Sequence, residues 1–193
     1  MSAATGGAWY VGVTGSGKTT LALQHAGEAS RENGWPVLAI DTGGVDQLAH
    51  VPAARSVSEL VRQVWSEGVH ARIVPNDQND VDDVVNACLH FRHVNLIVDE
   101  AADWIDSARG ARSPLMKLLR RHRHARARIF LTTQHLSADV PQRALSCGPA
   151  LYVFHCDSGA VLDRLERDYG LDRGTVRNLP RGKYLRVQLG FPA

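Results

Sequence analysis

The feature that most restricts how this chain can fold is a glycine-rich loop between an apolar run and a helical segment. Residues 12–19 read GVTGSGKT and match the pattern G-x-x-x-x-G-K-[ST]. Such a loop joins a strand to a helix, and its backbone N–H groups surround a phosphate at the helix N-terminus. The flanking residues fit, because a β-type run (8–13) precedes the loop and a helical pattern (18–31) follows it. The loop therefore predicts a strand–loop–helix unit that binds phosphate.

Short β-type runs alternate with segments of helical period along the rest of the chain. The predicted strands are residues 8–13, 37–41, 71–75, 95–99, 128–133, 151–155 and 183–189. The predicted helices are residues 18–31, 56–67, 81–92, 113–124, 159–169 and 173–178, with residues 76–80 as a polar loop. Because parallel strands need crossover helices, this order predicts an α/β fold, a mainly parallel sheet with helices on both faces. We expect a single domain over residues 1–193.

Composition excludes several classes of protein. The 193 residues are 44% hydrophobic and 22% charged, which excludes a disordered chain, a collagen and a disulfide scaffold. Cys88, Cys147 and Cys156 form no CxxC pair, so we expect reduced thiols, a cytosolic setting and no structural metal. No stretch approaches 18 apolar residues and the N-terminus lacks a signal-peptide pattern, so we expect no membrane span.

The chemistry of the glycine-rich loop predicts a nucleotide and a metal ion, ATP and Mg²⁺. Gly15 and Gly17 allow the backbone to wrap the β-phosphate closely. The Lys18 ammonium reaches the β- and γ-phosphate oxygens, and the Thr19 hydroxyl ligates Mg²⁺. A glycine-rich turn that only caps a helix is the structural alternative. The predicted nucleotide-binding residues are Gly12, Thr14, Gly15, Ser16, Gly17, Lys18, Thr19 and Thr20.

Polar residues follow two further apolar runs. Residues 94–98 are followed by Asp99 and Glu100, and residues 129–133 by Gln134. Ligands of parallel sheets bind at the carboxyl ends of the strands. Asp99 is the predicted Walker B residue, which holds Mg²⁺ through water beside Thr19, and Glu100 orients the water that attacks the γ-phosphate. Gln134 is a γ-phosphate sensor or, alternatively, a solvent-exposed amide, and the two acids could instead cap the next turn.

The charge of the chain is uneven although its formal net charge is only +2. Residues 107–138 contain no acidic residue but carry eight Arg and Lys residues, and Arg123 lies 11 residues before Gln134. This basic stretch could line a DNA channel, supply an arginine finger to a neighbouring subunit or form a solvated helix face. Spacing alone favours the solvated face for most of these arginines.

Three segments together resemble a known superfamily. They are TGSGKTT at residues 14–20, LIVDEA at 96–101 and RHRHARARIFLTTQ at 121–134, and they resemble the FtsK–HerA superfamily of RecA-like DNA-pumping ATPases. Within it, the chain is similar to the genome-packaging ATPases of membrane-containing icosahedral double-stranded DNA viruses and tectivirus-like phages. The resemblance covers nearly the whole chain, to the closing turn LPRGKY at 179–184. The sequence departs from the family after Gln134, where His135 and Leu136 replace Arg-Pro.

The resemblance implies a role for each site residue. Lys18 and Thr19 bind nucleotide and metal, Asp99 binds metal, Glu100 holds the water and Gln134 senses the γ-phosphate. Arg123 is the arginine finger that acts on a neighbouring subunit. Arg109 and Arg112, in the loop 103–112, are candidate DNA contacts.

The resemblance also implies an assembly and a partner. The chain is expected to form a pentameric or hexameric ring that moves double-stranded DNA, without sequence preference, into a preformed capsid. Capsid vertex or portal proteins are further expected partners, and the location is the host cytoplasm or the virion.

Proteins with other functions contain part of the same sequence pattern. The chain could be a DNA-transfer or phage-assembly ATPase of the same superfamily, although such proteins usually carry membrane segments or added domains. It could be a small-molecule P-loop enzyme such as a nucleotide kinase or a corrinoid adenosyltransferase, against which the Asp99–Glu100 pair and Gln134 argue. An ATP-binding switch without turnover is disfavoured by Glu100.

Overall fold

A seven-stranded sheet in the order β3-β2-β4-β5-β1-β6-β7 forms the centre of the protein. The computed structural model describes residues 7–42, 48–105, 113–136, 140–145 and 148–189. β1 to β6 pair in parallel, and β7 runs antiparallel to β6 at the edge. The strands are β1 (Gly7–Val11), β2 (Val37–Ile40), β3 (Ala71–Ile73), β4 (Val94–Val98), β5 (Ala127–Thr133), β6 (Ala150–Val153) and β7 (Leu185–Gln188).

Helices cover both faces of this sheet. One face packs against α1, and the opposite face packs against α2, α3, α5 and α7. The helices are α1 (Lys18–Asn33), α2 (Val57–Val61), α3 (Gln78–Phe91), α4 (Ala101–Trp104), α5 (Pro114–Arg121), α6 (Gln142–Leu145), α7 (Gly159–Tyr169) and α8 (Arg173–Arg177). The predicted α/β fold with a mainly parallel sheet is therefore confirmed. No helix in the described part of the chain is long and apolar enough to cross a bilayer.

Several predicted boundaries were wrong for local reasons. The predicted helix 56–67 is α2 followed by a π-helical turn at Arg62–Ser66. Part of the predicted loop 76–80 is helical, because the Asp77 side chain accepts from the N–H groups of Asn79 and Asp80 and starts α3 at Gln78. The predicted helix 113–124 ends at Arg121, and the short helices α4 and α6 were not predicted.

The first helix is fixed at both ends by glycine. Gly17 has φ 107° at its start, and Gly34 has φ 71° at its end and donates its N–H to the Ser30 carbonyl. Non-glycine residues rarely adopt these left-handed conformations. The buried face of α1 carries small residues, Ala22, Ala26 and Ala29, which let the helix lie close to the sheet. The N-terminus of α1 is thereby held at the carboxyl end of β1.

The sheet order brings three strand ends together. β5 lies between β4 and β1, so the residue after β5 lies between the loop after β1 and the residues after β4. The register pairs Val98 with Leu131 and Val11 with Thr133. Asp99 and Glu100 therefore lie beside the last two residues of β5, and Gln134 lies next to both groups.

The two described cysteines are buried free thiols. Burial raises the pKa of Cys88 to about 12 and the pKa of Cys156 to about 12. Both thiols are therefore overwhelmingly protonated at neutral pH. Cys147 lies outside the described residues.

Candidate nucleotide-binding site

A cavity of about 650 Å³ opens above the carboxyl ends of β1, β4 and β5. This volume lies in the range of small-molecule and cofactor sites. Of the residues predicted to bind nucleotide or metal or to act in catalysis, the structure places nine along the cavity. They are Thr14, Gly15, Gly17, Lys18, Thr19, Thr20, Asp99, Glu100 and Gln134. The two other predicted loop residues, Gly12 and Ser16, are buried behind the loop.

The glycine-rich loop leaves one polar group without a partner. The Ser16 side chain is 4% exposed, and its hydroxyl makes no hydrogen bond within the described residues. A buried hydroxyl without a partner costs free energy, so it fits a loop whose polar groups serve a ligand. Gly15 and Gly17 have positive φ, as predicted for a loop whose N–H groups turn toward one point.

Gly12 supports the loop from behind, and we expect Gly12→Ala to disrupt it. A Cβ at this position would lie 2.7 Å from Phe154 Cβ and 3.0 Å from the His155 carbonyl oxygen. Such overpacking costs roughly 1–3 kcal/mol, so the variant should unfold at a lower temperature and bind ATP more weakly. Gly27→Ala is the matched control, because Gly27 lies within α1 and its Cβ would approach only Arg31 Nη1, at 3.7 Å. Equal thermal melting of the Gly12 variant and wild type would contradict this prediction.

Lys18 is 7% exposed and lies under the loop. Its ammonium donates to the Val13 carbonyl at 3.2 Å. Burial lowers the pKa of Lys18, while the negative charges of Glu100 and Asp99 oppose this shift. A triphosphate in the cavity would favour the charged form of Lys18 in the same way as these carboxylates.

Thr19 and Asp99 form the pair expected of a metal site. The Thr19 hydroxyl lies 3.2 Å from Asp99 Oδ1, and the same oxygen accepts from the Thr132 hydroxyl at 2.7 Å. Mg²⁺ prefers one or two oxygen side chains together with waters and substrate phosphates. The donor set of one hydroxyl and one carboxylate, beside a phosphate loop, fits Mg²⁺.

Glu100 is held against the end of β5. Its Oε1 accepts from the Thr133 hydroxyl at 2.7 Å and from the Gln134 N–H at 2.8 Å. The backbone of Glu100 is left-handed, with φ 42° and ψ 57°, which is uncommon for a residue with a side chain. This conformation turns the carboxylate from the end of β4 toward the cavity.

Gln134 joins the phosphate loop to the acidic pair. Its side-chain oxygen accepts from the Thr14 hydroxyl at 2.9 Å, while its backbone N–H donates to Glu100. Because the oxygen is engaged, the amide NH₂ of Gln134 is left to donate to an anion in the cavity.

Sequence reasoning did not identify the groups that orient these residues. The Thr132 and Thr133 hydroxyls donate to the carboxylates of Asp99 and Glu100. In the sequence, the only indication of these contacts is the pair of hydroxyl residues at the end of an apolar strand. The Thr42 hydroxyl donates to the Asp99 carbonyl at 2.5 Å and accepts from the Trp104 indole at 3.2 Å.

Asp41 and Arg72 are also linked, beside the acidic pair. Asp41 is fully buried, and Arg72 Nη1 donates to its carboxylate at 2.7 Å. Arg72 Nε also donates to the Val51 carbonyl at 3.1 Å. The pair thus fixes β3 and the segment between β2 and α2 against the end of β2.

The predicted arginines lie elsewhere. Arg123 is exposed in the turn between α5 and β5, at the amino end of the strand whose carboxyl end carries Gln134. β5 has 7 residues, which span about 23 Å. Arg123 therefore does not reach the cavity of its own chain. Arg109 and Arg112 lie outside the described residues.

The fold and the phosphate loop together define the class, a RecA-like P-loop α/β fold. The sequence matches no protein-family model and no curated protein. Solved structures do resemble it. The genome-packaging NTPase B204 of Sulfolobus turreted icosahedral virus 2, in complex with ATP-gammaS, has a TM-score of 0.78 at 16% identity, covering 95% of this chain and 92% of that chain.

Two further structures have the same fold. The bacterial conjugative coupling protein TrwB, lacking its first 70 residues, has a TM-score of 0.67 at 12% identity, covering 95% of this chain and 82% of that chain. VirB4 of Thermoanaerobacter pseudethanolicus has a TM-score of 0.61 at 9% identity, covering 97% and 89%. These structural neighbours are FtsK–HerA-type P-loop ATPases. The predicted resemblance is thus confirmed at the level of the fold.

Proposed function

We propose that the chain is a single-domain, Mg²⁺-dependent ATPase that moves double-stranded DNA into a preformed viral capsid. The observation that carries the proposal is the convergence of the phosphate loop, the Thr19–Asp99 pair, Glu100 and Gln134 around one cavity. Hydrolysis of a γ-phosphate needs a group that orients the attacking water, and Glu100 lies beside the metal pair and Gln134 in a position to do so. The fold likeness to a genome-packaging NTPase supports the biological role.

Each residue has a proposed part in hydrolysis. The loop N–H groups and Lys18 hold the β- and γ-phosphates, and Thr19 and Asp99 hold Mg²⁺. The metal supplies positive charge that neutralises the phosphate oxygens. Glu100 orients a water molecule whose oxygen bonds to the γ-phosphorus while the bond from phosphorus to the β–γ bridging oxygen breaks, which yields ADP and phosphate.

Gln134 and Arg123 complete the proposed site from two different subunits. The amide NH₂ of Gln134 donates to a γ-phosphate oxygen, because Thr14 occupies its carbonyl oxygen. Arg123 serves the site of a neighbouring subunit, because β5 separates it from the site of its own chain. Sites shared in this way need a head-to-tail assembly of subunits, and the resemblance to the superfamily supports a closed ring, a pentamer or hexamer.

DNA is the proposed partner of the ring. Arg109 and Arg112 contact its phosphates without sequence preference, and capsid vertex or portal proteins hold the ring in the host cytoplasm or on the virion. The coupling protein and VirB4 have lower TM-scores than the packaging NTPase. We therefore rank genome packaging above DNA transfer.

The dependence of ATP turnover on protein concentration and DNA tests this proposal. Shared sites should make the rate per subunit rise with protein concentration, and long double-stranded DNA should raise it further. The DNA effect should weaken steeply between 50 and 200 mM salt, because phosphate contacts release counterions. Turnover that is indifferent to protein concentration and DNA, or that appears only with a small phosphate acceptor, would overturn the proposal.

A further inference from the structure

The phosphate loop lines only one end of the cavity. Beyond Thr20 the cavity continues along α1 past Leu21, Gln24 and His25. The loop between α8 and β7 faces this part with Arg181, Gly182 and Tyr184. Phosphates bind at the N-terminus of α1, so the second part of the cavity remains for the nucleoside.

A backbone contact fixes this loop against the phosphate loop. The Gly182 N–H donates to the Ser16 carbonyl at 3.0 Å, and the Lys183 N–H closes a turn onto the Pro180 carbonyl at 2.9 Å. Gly182 has φ 77°, so the turn requires glycine there. The two walls of the cavity are thus held at a defined separation.

Tyr184 presents an aromatic ring to the cavity. Its ring lies 5.4 Å from that of Tyr152, edge to face, and 5.5 Å from that of Phe154. Nevertheless Tyr184 is 42% exposed, one of few large apolar side chains in the described residues with so much exposed surface. A ring supported from behind and open in front is suited to stack on a nucleotide base.

His25 lies on the opposite wall in a fixed orientation. It is 9% exposed, and its Nδ1 shares a 2.7 Å hydrogen bond with the Tyr10 hydroxyl. Burial lowers the pKa of His25, with a further decrease from Arg186 that Glu28 opposes. The imidazole is therefore neutral near pH 7, and its Nε2 makes no hydrogen bond within the part of the chain that the structure describes.

We propose that this part of the cavity is a recognition site for the adenine base of ATP, formed by the Tyr184 ring and His25 Nε2. Tyr184 supplies stacking area, and His25 supplies one hydrogen bond whose direction the Tyr10 hydroxyl fixes. The inference rests on the proposed function, because it assumes that the phosphate loop holds the triphosphate of the same ligand.

Titration calorimetry with ATP and with inorganic tripolyphosphate separates the base from the phosphates. Tyr184→Ala should weaken ATP binding by about 5- to 150-fold and leave tripolyphosphate binding unchanged. Tyr184→Phe should bind ATP as wild type does, and His25→Ala should weaken ATP alone by about 2- to 12-fold. Phe91→Ala is the matched control, since this exposed aromatic residue lies on α3, away from the cavity.

Each contrary result has a separate meaning. If Tyr184→Ala weakens both ligands equally, or neither, the base site is overturned and the loop only supports the phosphate loop. If wild type binds neither ligand, or Lys18→Ala weakens neither, the proposed function itself fails. Should Tyr184→Ala not fold, Tyr184→Leu keeps an apolar contact with Tyr152 and Phe154 but lacks a stacking ring, and the same comparison applies.

Discussion

Glu100→Gln is expected to lower the rate of ATP hydrolysis by about 10²- to 10⁴-fold while ATP still binds. The amide is nearly isosteric, and its oxygen can keep the hydrogen bonds from Thr133 and Gln134 that hold the carboxylate. What it loses is the negative charge that orients and polarises the attacking water. Single-turnover and steady-state phosphate release, beside ATP binding by calorimetry, measure the two effects separately.

Glu166→Gln serves as the control for that experiment. Glu166 is exposed on α7, on the face of the sheet opposite α1, and its substitution should leave both binding and turnover at the wild-type level. Turnover by Glu100→Gln within threefold of wild type would remove Glu100 from the catalytic set, whatever the DNA dependence of the enzyme.

Arg123→Ala should lower turnover by about 10³- to 10⁵-fold, the range of arginine fingers supplied between subunits. Mixing Arg123→Ala subunits with Lys18→Ala subunits should restore part of the ATPase activity. A Lys18→Ala subunit lacks a working phosphate loop but keeps Arg123, so it can serve the intact loop of an Arg123→Ala neighbour. In an equal mixture about one in four interfaces of a head-to-tail ring combines the two intact halves. The ATPase rate of the mixture, against each variant alone, measures the repair.

Arg120→Ala is the matched control for Arg123→Ala, because Arg120 is also exposed and lies near the end of α5, three residues before Arg123. It should keep near-wild-type turnover. A mixture no more active than its two components would show that Arg123 does not act between subunits. Loss of activity in the Arg120 variant instead of the Arg123 variant would identify Arg120 as the arginine finger.

The phosphate loop and the positions of the strands along the chain could be predicted because their signals are local. The phosphate loop needs glycine at Gly15 and Gly17 because both residues have positive φ, and this pattern is contained in a few residues. The apolar runs before Asp99 and Gln134 identify buried strands by their composition alone. Parallel pairing then places these strand ends at one edge, which requires no knowledge of individual contacts.

The contacts that orient the site could not be predicted, because they depend on register and on distant segments. Thr132 meets Asp99 only when Val98 pairs with Leu131, and a shift of one residue would turn these side chains to the other face. The position of Tyr184 opposite His25 likewise depends on how β7 joins β6. The π-helical turn at Arg62–Ser66 follows from packing and has no sequence signal that we recognise.

The bond between Gly182 and Ser16 also determines when the site is complete during synthesis of the chain. The phosphate loop leaves the ribosome early, whereas the loop that supports it precedes β7, the last strand of the sheet. A nascent chain that ends before Gly182 contains Lys18, Asp99, Glu100 and Gln134 but lacks the second wall of the cavity. If the proposed base site is correct, full affinity for nucleotide is expected only after β7 has joined the sheet edge.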